Sequence, residues 1–91
     1  MATFDIGETV ICSIIVKDSG GTPQDPVTSM TITIKWDDTI VINAVAMTKD
    51  STGTYHYDFQ TATQPAKKYE VTYIATNGTR ISIEKDTFEI R

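Results

Sequence analysis

The chain has 91 residues, 40% of them hydrophobic and 22% charged, which is the composition of one globular domain, over residues 1–91, with a modest core. Eight Lys and Arg residues against twelve Asp and Glu residues give a formal net charge of −4, which argues against nucleic acid as a partner. The sequence contains neither an apolar run near the roughly twenty residues that span a membrane nor the N-terminal pattern of a signal peptide, so it predicts neither feature.

Apolar residues at every second position predict the first strands, because successive side chains of a strand point to opposite faces. The residues expected to face inward are Val10, Cys12, Ile14, Val16, Met30, Ile32, Ile34 and Trp36. Cys12 is the only cysteine, so the chain cannot form an internal disulfide and its stability must come from packing. We expect this thiol to behave as a small buried hydrophobic group.

Aromatic residues dominate the inward positions of the later strands. These positions are Tyr55, Tyr57, Phe59, Tyr69, Val71, Tyr73 and Ala75. The last strand begins with Ile81 and Ile83 on one parity. It ends with Phe88 and Ile90 on the other. We expect a bulge near Lys85-Asp86, which would let all four side chains face the core.

The turn at Asn77-Gly78 sets the pairing of the last two strands. A two-residue loop there would pair Thr76 with Thr79. A three-residue loop that also includes Thr76 would place Gly78 at a left-handed bulge position and pair Tyr73 with Ile81. We expect the three-residue loop, because it keeps both apolar sets in the core.

Turn-forming residues separate the alternating runs at intervals of about ten residues, and no helical stretch interrupts them. Short antiparallel strands at this spacing are typical of sandwiches and barrels. The sequence therefore predicts an all-β protein, an immunoglobulin-like sandwich of about seven antiparallel strands in two sheets.

The residues that could carry chemistry are few. His56 is the only histidine, two residues from Asp58 on an expected outer face, but no nucleophile elbow or Gly-rich loop accompanies the pair. One Cys and one His cannot make a four-ligand zinc site. Acidic residues in the expected turns could supply oxygen ligands for calcium, although Asp also favours turns for its local hydrogen bonds: Asp18, Asp25, Asp37, Asp38 and Asp50. We predict no catalytic residue, no cofactor and no metal.

Several apolar residues fall on faces that the alternation assigns to solvent, where sandwich strands usually carry polar residues. They are Ile11, Ile15, Val41, Val45 and Ile74. An exposed apolar cluster marks a contact surface, so we predict that some of these residues form an interface with a protein partner. Otherwise loops cover them, or the strand from Ile40 to Met47 has been assigned the wrong face.

A series of short motifs extends over almost the whole chain: Gly7-Glu8-x-Val10, Val16-x-Asp18, Gly20-Gly21-x-Pro23, Thr52-Gly53-Thr54-Tyr55-x-Tyr57-x-Phe59, Tyr69-x-Val71-x-Tyr73 and Phe88-Glu89-Ile90. The series resembles the disulfide-free immunoglobulin-like domains of prokaryotic surface proteins, such as macroglobulin-type and invasin-type modules, and the Ig-like domains of phage virions. These motifs mark fold positions and carry no chemistry.

The resemblance implies adhesion, spacing or decoration rather than catalysis. We expect a virion-associated decoration or tail component, attached through a sheet face or edge strand to copies of itself or to a capsid or tail protein. The alternative is an adhesion or spacer module of a larger cell-surface protein that binds glycan or protein through its end loops. Either function implies a location on a virion or an extracellular surface.

Overall fold

A computed structural model of the protein describes residues 2–17, 20–26 and 28–91. The described residues form eight strands: β1 Ala2–Phe4, β2 Thr9–Ile15, β3 Ser29–Trp36, β4 Thr39–Ala46, β5 Thr48–Ser51, β6 Thr54–Gln60, β7 Lys68–Asn77 and β8 Arg80–Ile90. Within these ranges there is no helix with the length and apolar character needed to cross a membrane.

The strands form two sheets packed face to face, which confirms the predicted all-β sandwich. One sheet has five strands in the order β1-β8-β7-β3-β4, and the other has three in the order β2-β6-β5. Neighbouring strands are antiparallel except for β1, which runs parallel to the end of β8 and places Ala2 opposite Phe88 and Phe4 opposite Ile90. The eight strands agree with the predicted number of about seven.

The core lies between the sheets and consists, apart from Met47, of residues that the alternation assigned inward. The fully or nearly buried members are Val10, Cys12, Met30, Ile32, Ile34, Met47, Tyr55, Phe59, Tyr69, Val71, Tyr73, Phe88 and Ile90. Ile14, Val16, Trp36, Tyr57 and Ala75 are partly buried against this cluster. The predicted inward faces of β2, β3, β6 and β7 are therefore confirmed.

An aromatic cluster fills the end of the core near β1. The rings of Tyr69 and Phe88 stack with centroids 5.3 Å apart, and Phe59 lies 5.6 Å from Tyr69 and 6.0 Å from Phe88. The Tyr69 hydroxyl donates a 2.6 Å hydrogen bond to the carbonyl oxygen of Pro65, four residues upstream. A tyrosine at the start of this strand that bonds back to the preceding corner is a hallmark of immunoglobulin-like sandwiches.

Thr61 ties the β1–β2 turn to the end of β6. Its side chain is fully buried. The Thr61 hydroxyl donates a 2.6 Å hydrogen bond to the carbonyl oxygen of Glu8 and accepts a 2.9 Å bond from the backbone N–H of Gly7. One buried hydroxyl thus satisfies the Gly7 N–H and the Glu8 carbonyl oxygen together and holds the N-terminal turn in place.

The β7–β8 hairpin differs from both predicted loops. Asn77 lies opposite Arg80, which leaves Gly78 and Thr79 as a two-residue turn, called the hairpin turn below. Gly78 has a φ of 65° at the first turn position, as in a type II′ turn, where a residue without a Cβ is favoured. The predictions placed this glycine last in the loop instead of first, so their registers were wrong.

The predicted bulge near Lys85-Asp86 is also wrong. The pairing of β7 with β8 continues without a register shift from the hairpin turn to the Lys68–Glu89 pair. Since Phe88 faces the core, an unbroken alternation directs Ile81 and Ile83 to the outer face.

Candidate interaction surface

Strand β8 has an open edge along much of its length. The N–H of Ile90 bonds to Lys67 on the β7 side, whereas the N–H of Arg91 bonds to Phe4 on the β1 side. Since strand residues alternate in direction, odd-numbered residues of β8 point away from β7. β1 covers only the last three residues of the strand. The edge-facing N–H and C=O groups of Ile81, Ile83 and Lys85 therefore have no backbone partner among the described residues.

An apolar surface adjoins this edge on the outer side of the five-stranded sheet. Ile81 and Ile83 are 63% and 57% exposed. Ile74 on β7 lies directly opposite Ile83 and is half-buried. This pair is of the non-hydrogen-bonded kind, in which the facing side chains approach closely. We refer to Ile74, Ile81 and Ile83 as the isoleucine face.

A polar depression continues this surface away from the hairpin turn. It has a volume of about 380 Å³ and is lined in part by Lys35, Glu70, Lys85 and Thr87. The ammonium group of Lys35 lies 3.5 Å from the Glu70 carboxylate, and both side chains are exposed enough for water to screen the pair. The outer side of β7 and β8 therefore changes from apolar near the turn to polar near the other end.

The inner side of β8 near the hairpin turn is polar, unlike its outer side. Ser82 and Glu84 share the parity of Phe88 but are exposed, because the three-stranded sheet does not cover them. They line a cleft of about 150 Å³ whose other lining residues include Ile14 on β2 and Tyr73 on β7. Polar residues on an uncovered inner face protect an edge strand from indiscriminate pairing.

Two of the five predicted interface residues lie on the opposite sheet. Ile11 and Ile15 are 65% and 55% exposed on the outer side of β2. They stand across from Asp58 and Thr54 of β6, so their immediate neighbours are polar. The structure does not bring them near Ile74, which belongs to the other sheet.

Val41 and Val45 do not lie on the solvent face that the alternation assigned to them. Two register shifts interrupt the pairing of β3 with β4, and Ala44 adopts a φ of 50° at one of them. Val41 is the extra residue at the other shift and packs against the core. Val45 lies opposite the buried Ile32, on the inner side of an edge strand, where its side chain is nevertheless 39% exposed. A one-residue shift exchanges the faces of a strand, which is why simple alternation failed here.

Sequence reasoning identified Ile74 but missed the two residues that accompany it. Ile81 and Ile83 were assigned to the core through a bulge, although no turn residue or glycine near Lys85-Asp86 indicates one. The parity of Phe88 and Ile90 could have indicated this exposure, because an uninterrupted strand that buries those two residues must direct Ile81 and Ile83 outward.

His56 lies on the outer side of the three-stranded sheet, as predicted, between two carboxylates. Its Nδ1 is 2.7 Å from Asp50 Oδ1, and its Nε2 is 3.9 Å from Asp58 Oδ1. All three side chains are partly or fully exposed. The arrangement is a group of solvated polar side chains on an outer sheet face.

The acidic residues considered for calcium do not converge. The Asp25 carboxylate accepts hydrogen bonds from Lys49 Nζ, the Gly53 N–H and the Tyr55 hydroxyl, and these bonds lower its pKa, the one from Lys49 most. It therefore holds a turn together. Asp18 lies outside the described residues. Among the residues that are described, no three His, Cys, Asp or Glu side chains are grouped to hold a metal ion.

Cys12 is buried, as expected, and burial raises the pKa of its thiol to about 11.

Among these sites, the feature that stands out for function is the isoleucine face beside the open edge of β8. No family model matches the chain, and neither a curated protein nor a solved structure matches it.

Proposed function

We propose that this chain is a non-enzymatic structural or binding protein that attaches to a protein partner through the isoleucine face and the open edge of β8. The observation that carries the proposal is the exposure of Ile81 and Ile83 beside unpaired strand backbone. Burying an isoleucine side chain stabilises a complex by about 1.5–3 kcal/mol, before the costs of association are subtracted. The backbone groups of the edge would add directional hydrogen bonds.

The partner we favour is a virion lattice or tail. The resemblance to the Ig-like domains of phage virions supports this choice, as does a sandwich that has no internal disulfide. His56 and the two carboxylates beside it lie partly or fully exposed on the outer side of a sheet, which favours a structural function over a catalytic one.

The test uses capsid or tail particles assembled without the chain, to which the purified chain is added before sedimentation. The wild-type chain should sediment with the particles. The double variant Ile81→Asp/Ile83→Asp should bind at least ten times more weakly, because it places two charges in the contact surface.

The matched control is Ile11→Asp/Ile15→Asp on the opposite sheet, where the exposed fractions of 65% and 55% equal those of Ile81 and Ile83 within a few per cent. This control should bind as the wild type does. Loss of binding by the control alone would move the interface to the other sheet and contradict the proposal. Absence of wild-type binding would contradict a virion partner.

A further inference from the structure

We propose that the open edge of β8 pairs in antiparallel fashion with β8 of a second copy of the chain, about a two-fold axis at Ser82. The inference rests on the proposed function, because it names an occupant of the same surface. The pairing would join two five-stranded sheets into one continuous sheet.

The direction of the backbone groups restricts the register of such a pair. Odd-numbered residues of β8 point their N–H and C=O groups at the open edge. In an antiparallel ladder, directly opposite residues either both point at each other or both point away. An odd-numbered residue of one copy must therefore stand opposite an odd-numbered residue of the other.

Strand β1 sets the limit to which the two edges can overlap. It occupies the edge at the last three residues of β8, beginning with Ala2 opposite Phe88. With the axis at Ser82, the hairpin turn of the second copy lies opposite Lys85 and Asp86, just before β1. Moving the axis to Ile83 would place Gly78 of the second copy opposite Phe88, where Ala2 already pairs. The Ser82 register is therefore the longest overlap that β1 permits.

The same register matches the side chains on both faces of the sheet. On the outer face, Ile81 of each copy lies opposite Ile83 of the other, which extends the isoleucine face across the axis. On the inner face, Arg80 of each copy lies opposite Glu84 of the other. Apolar and opposite-charge pairs across strands both stabilise a ladder.

The inner-face charges also favour a second copy over an arbitrary strand. A strand that lacked a basic residue opposite Glu84 would leave that carboxylate unpaired in the ladder, and such charges normally keep edge strands apart. A second copy supplies the complementary Arg80 twice, once on each side of the axis. Because only the five residues from Arg80 to Glu84 of each copy pair, against roughly 20–30 residues a side in a standard interface, we expect a weak dimer that forms at high local concentration.

Disulfide trapping tests the register directly. In the proposed pair Ser82 faces its own symmetry mate at a non-hydrogen-bonded position, with Cα atoms about 4.5 Å apart, which a disulfide can bridge. Glu84 lies four residues from its mate along the ladder, about 13 Å away. With oxidised glutathione as the oxidant, Ser82→Cys should form covalent dimers at least ten times faster than Glu84→Cys, and the buried Cys12 serves as the common background.

Charge reversal provides a second arm, which tests the proposed Arg80–Glu84 pairs through the same cross-link. In the Ser82→Cys background, Arg80→Glu and Glu84→Arg should each slow cross-linking at least tenfold. The double reversal restores opposite charges and should return the rate to within about twofold, which also shows that the variants fold. Equal cross-linking by Ser82→Cys and Glu84→Cys, or no restoration by the double reversal, would overturn the pairing.

The two proposals fail in different ways. If trapping fails while Ile81→Asp/Ile83→Asp still loses particle binding, the self-pairing is overturned and the attachment surface stands. If trapping follows the expected register while that variant binds particles normally, the pairing stands and the attachment is overturned.

Discussion

The two halves of strand β8 lie in one regular ladder with β7, yet one half belongs to the core and the other to the surface. In the C-terminal half, Phe88 and Ile90 are buried and β1 pairs along the edge. In the N-terminal half, Ile81 and Ile83 are exposed and the edge is open. Apolar character is similar in both halves, so what differs is the coverage by neighbouring elements.

The aromatic cluster explains why only the C-terminal half of β8 is covered by neighbouring elements. Phe88 contacts the rings of Phe4, Phe59 and Tyr69, which come from three different strands. Further along β8 the inner positions hold Ser82 and Glu84, which can remain in water. Strand β8 is therefore anchored at its C-terminal end and exposed for contact at its N-terminal end.

The largest expected effect comes from the anchored end. Phe88→Ala should lower the free energy of unfolding by about 3–5 kcal/mol, because it removes a buried ring from the centre of the aromatic cluster. Urea unfolding followed by fluorescence measures the change. The matched control is Ile83→Ala in the exposed half of the same strand, which should change the free energy of unfolding by less than about 1 kcal/mol. Similar losses in the free energy of unfolding from both variants would contradict the proposed difference between the two halves of β8.

Thr61→Val tests how the N-terminal strand is held over the anchored half. The substitution keeps the shape of the side chain but leaves the Gly7 N–H and the Glu8 carbonyl without their shared hydroxyl. We expect a loss of about 1–3 kcal/mol in the free energy of unfolding. Thr63→Val, at an exposed position nearby, should have almost no effect in the same thermal or urea unfolding experiment. Equal stability of the two variants would show that the hydroxyl contributes nothing.

Amide hydrogen exchange should reveal the open edge as an alternation. The amides of Ile81, Ile83 and Lys85 point at the open edge, whereas those of Ser82 and Glu84 point at β7. At low protein concentration we expect the first group to exchange at least about tenfold faster than the second, because it has no ladder partner. Protection of Ile81 and Ile83 that rises with protein concentration would report the self-pairing, and uniform protection at low concentration would contradict an open edge.

The smallest expected change in stability concerns the isoleucine face itself. Ile81→Thr/Ile83→Thr should alter the free energy of unfolding by less than about 1 kcal/mol, since both side chains are exposed and threonine also favours strands. The same variant should lose particle binding and self-pairing. A loss of stability comparable with that of Phe88→Ala would mean that these residues serve the fold rather than a partner.

Much of the fold follows from local pattern. Alternation assigned the buried residues of β2, β3, β6 and β7, because a strand with one face in the core must place apolar side chains at every second position. The single cysteine determined that no internal disulfide holds the sandwich together, and Cys12 lies in the core as its parity required. Of the interface candidates, the alternation identified Ile74 but combined it with Ile11 and Ile15 of the other sheet and with Val41 and Val45 of β4, at the far edge of the same sheet.

The remaining features depend on contacts between distant parts of the chain. Ile81 and Ile83 face solvent because the hairpin turn begins at Gly78, and a shift of one residue in that turn exchanges the faces of the whole strand. The bulges that turn Val41 toward the core depend on how β4 pairs with β3. The open edge exists because β1 pairs with the last three residues of β8 and with no more. The sequence by itself thus determined which residues could be buried, and the tertiary structure decided which of them are covered, because coverage requires a neighbouring element that alternation along one strand does not reveal.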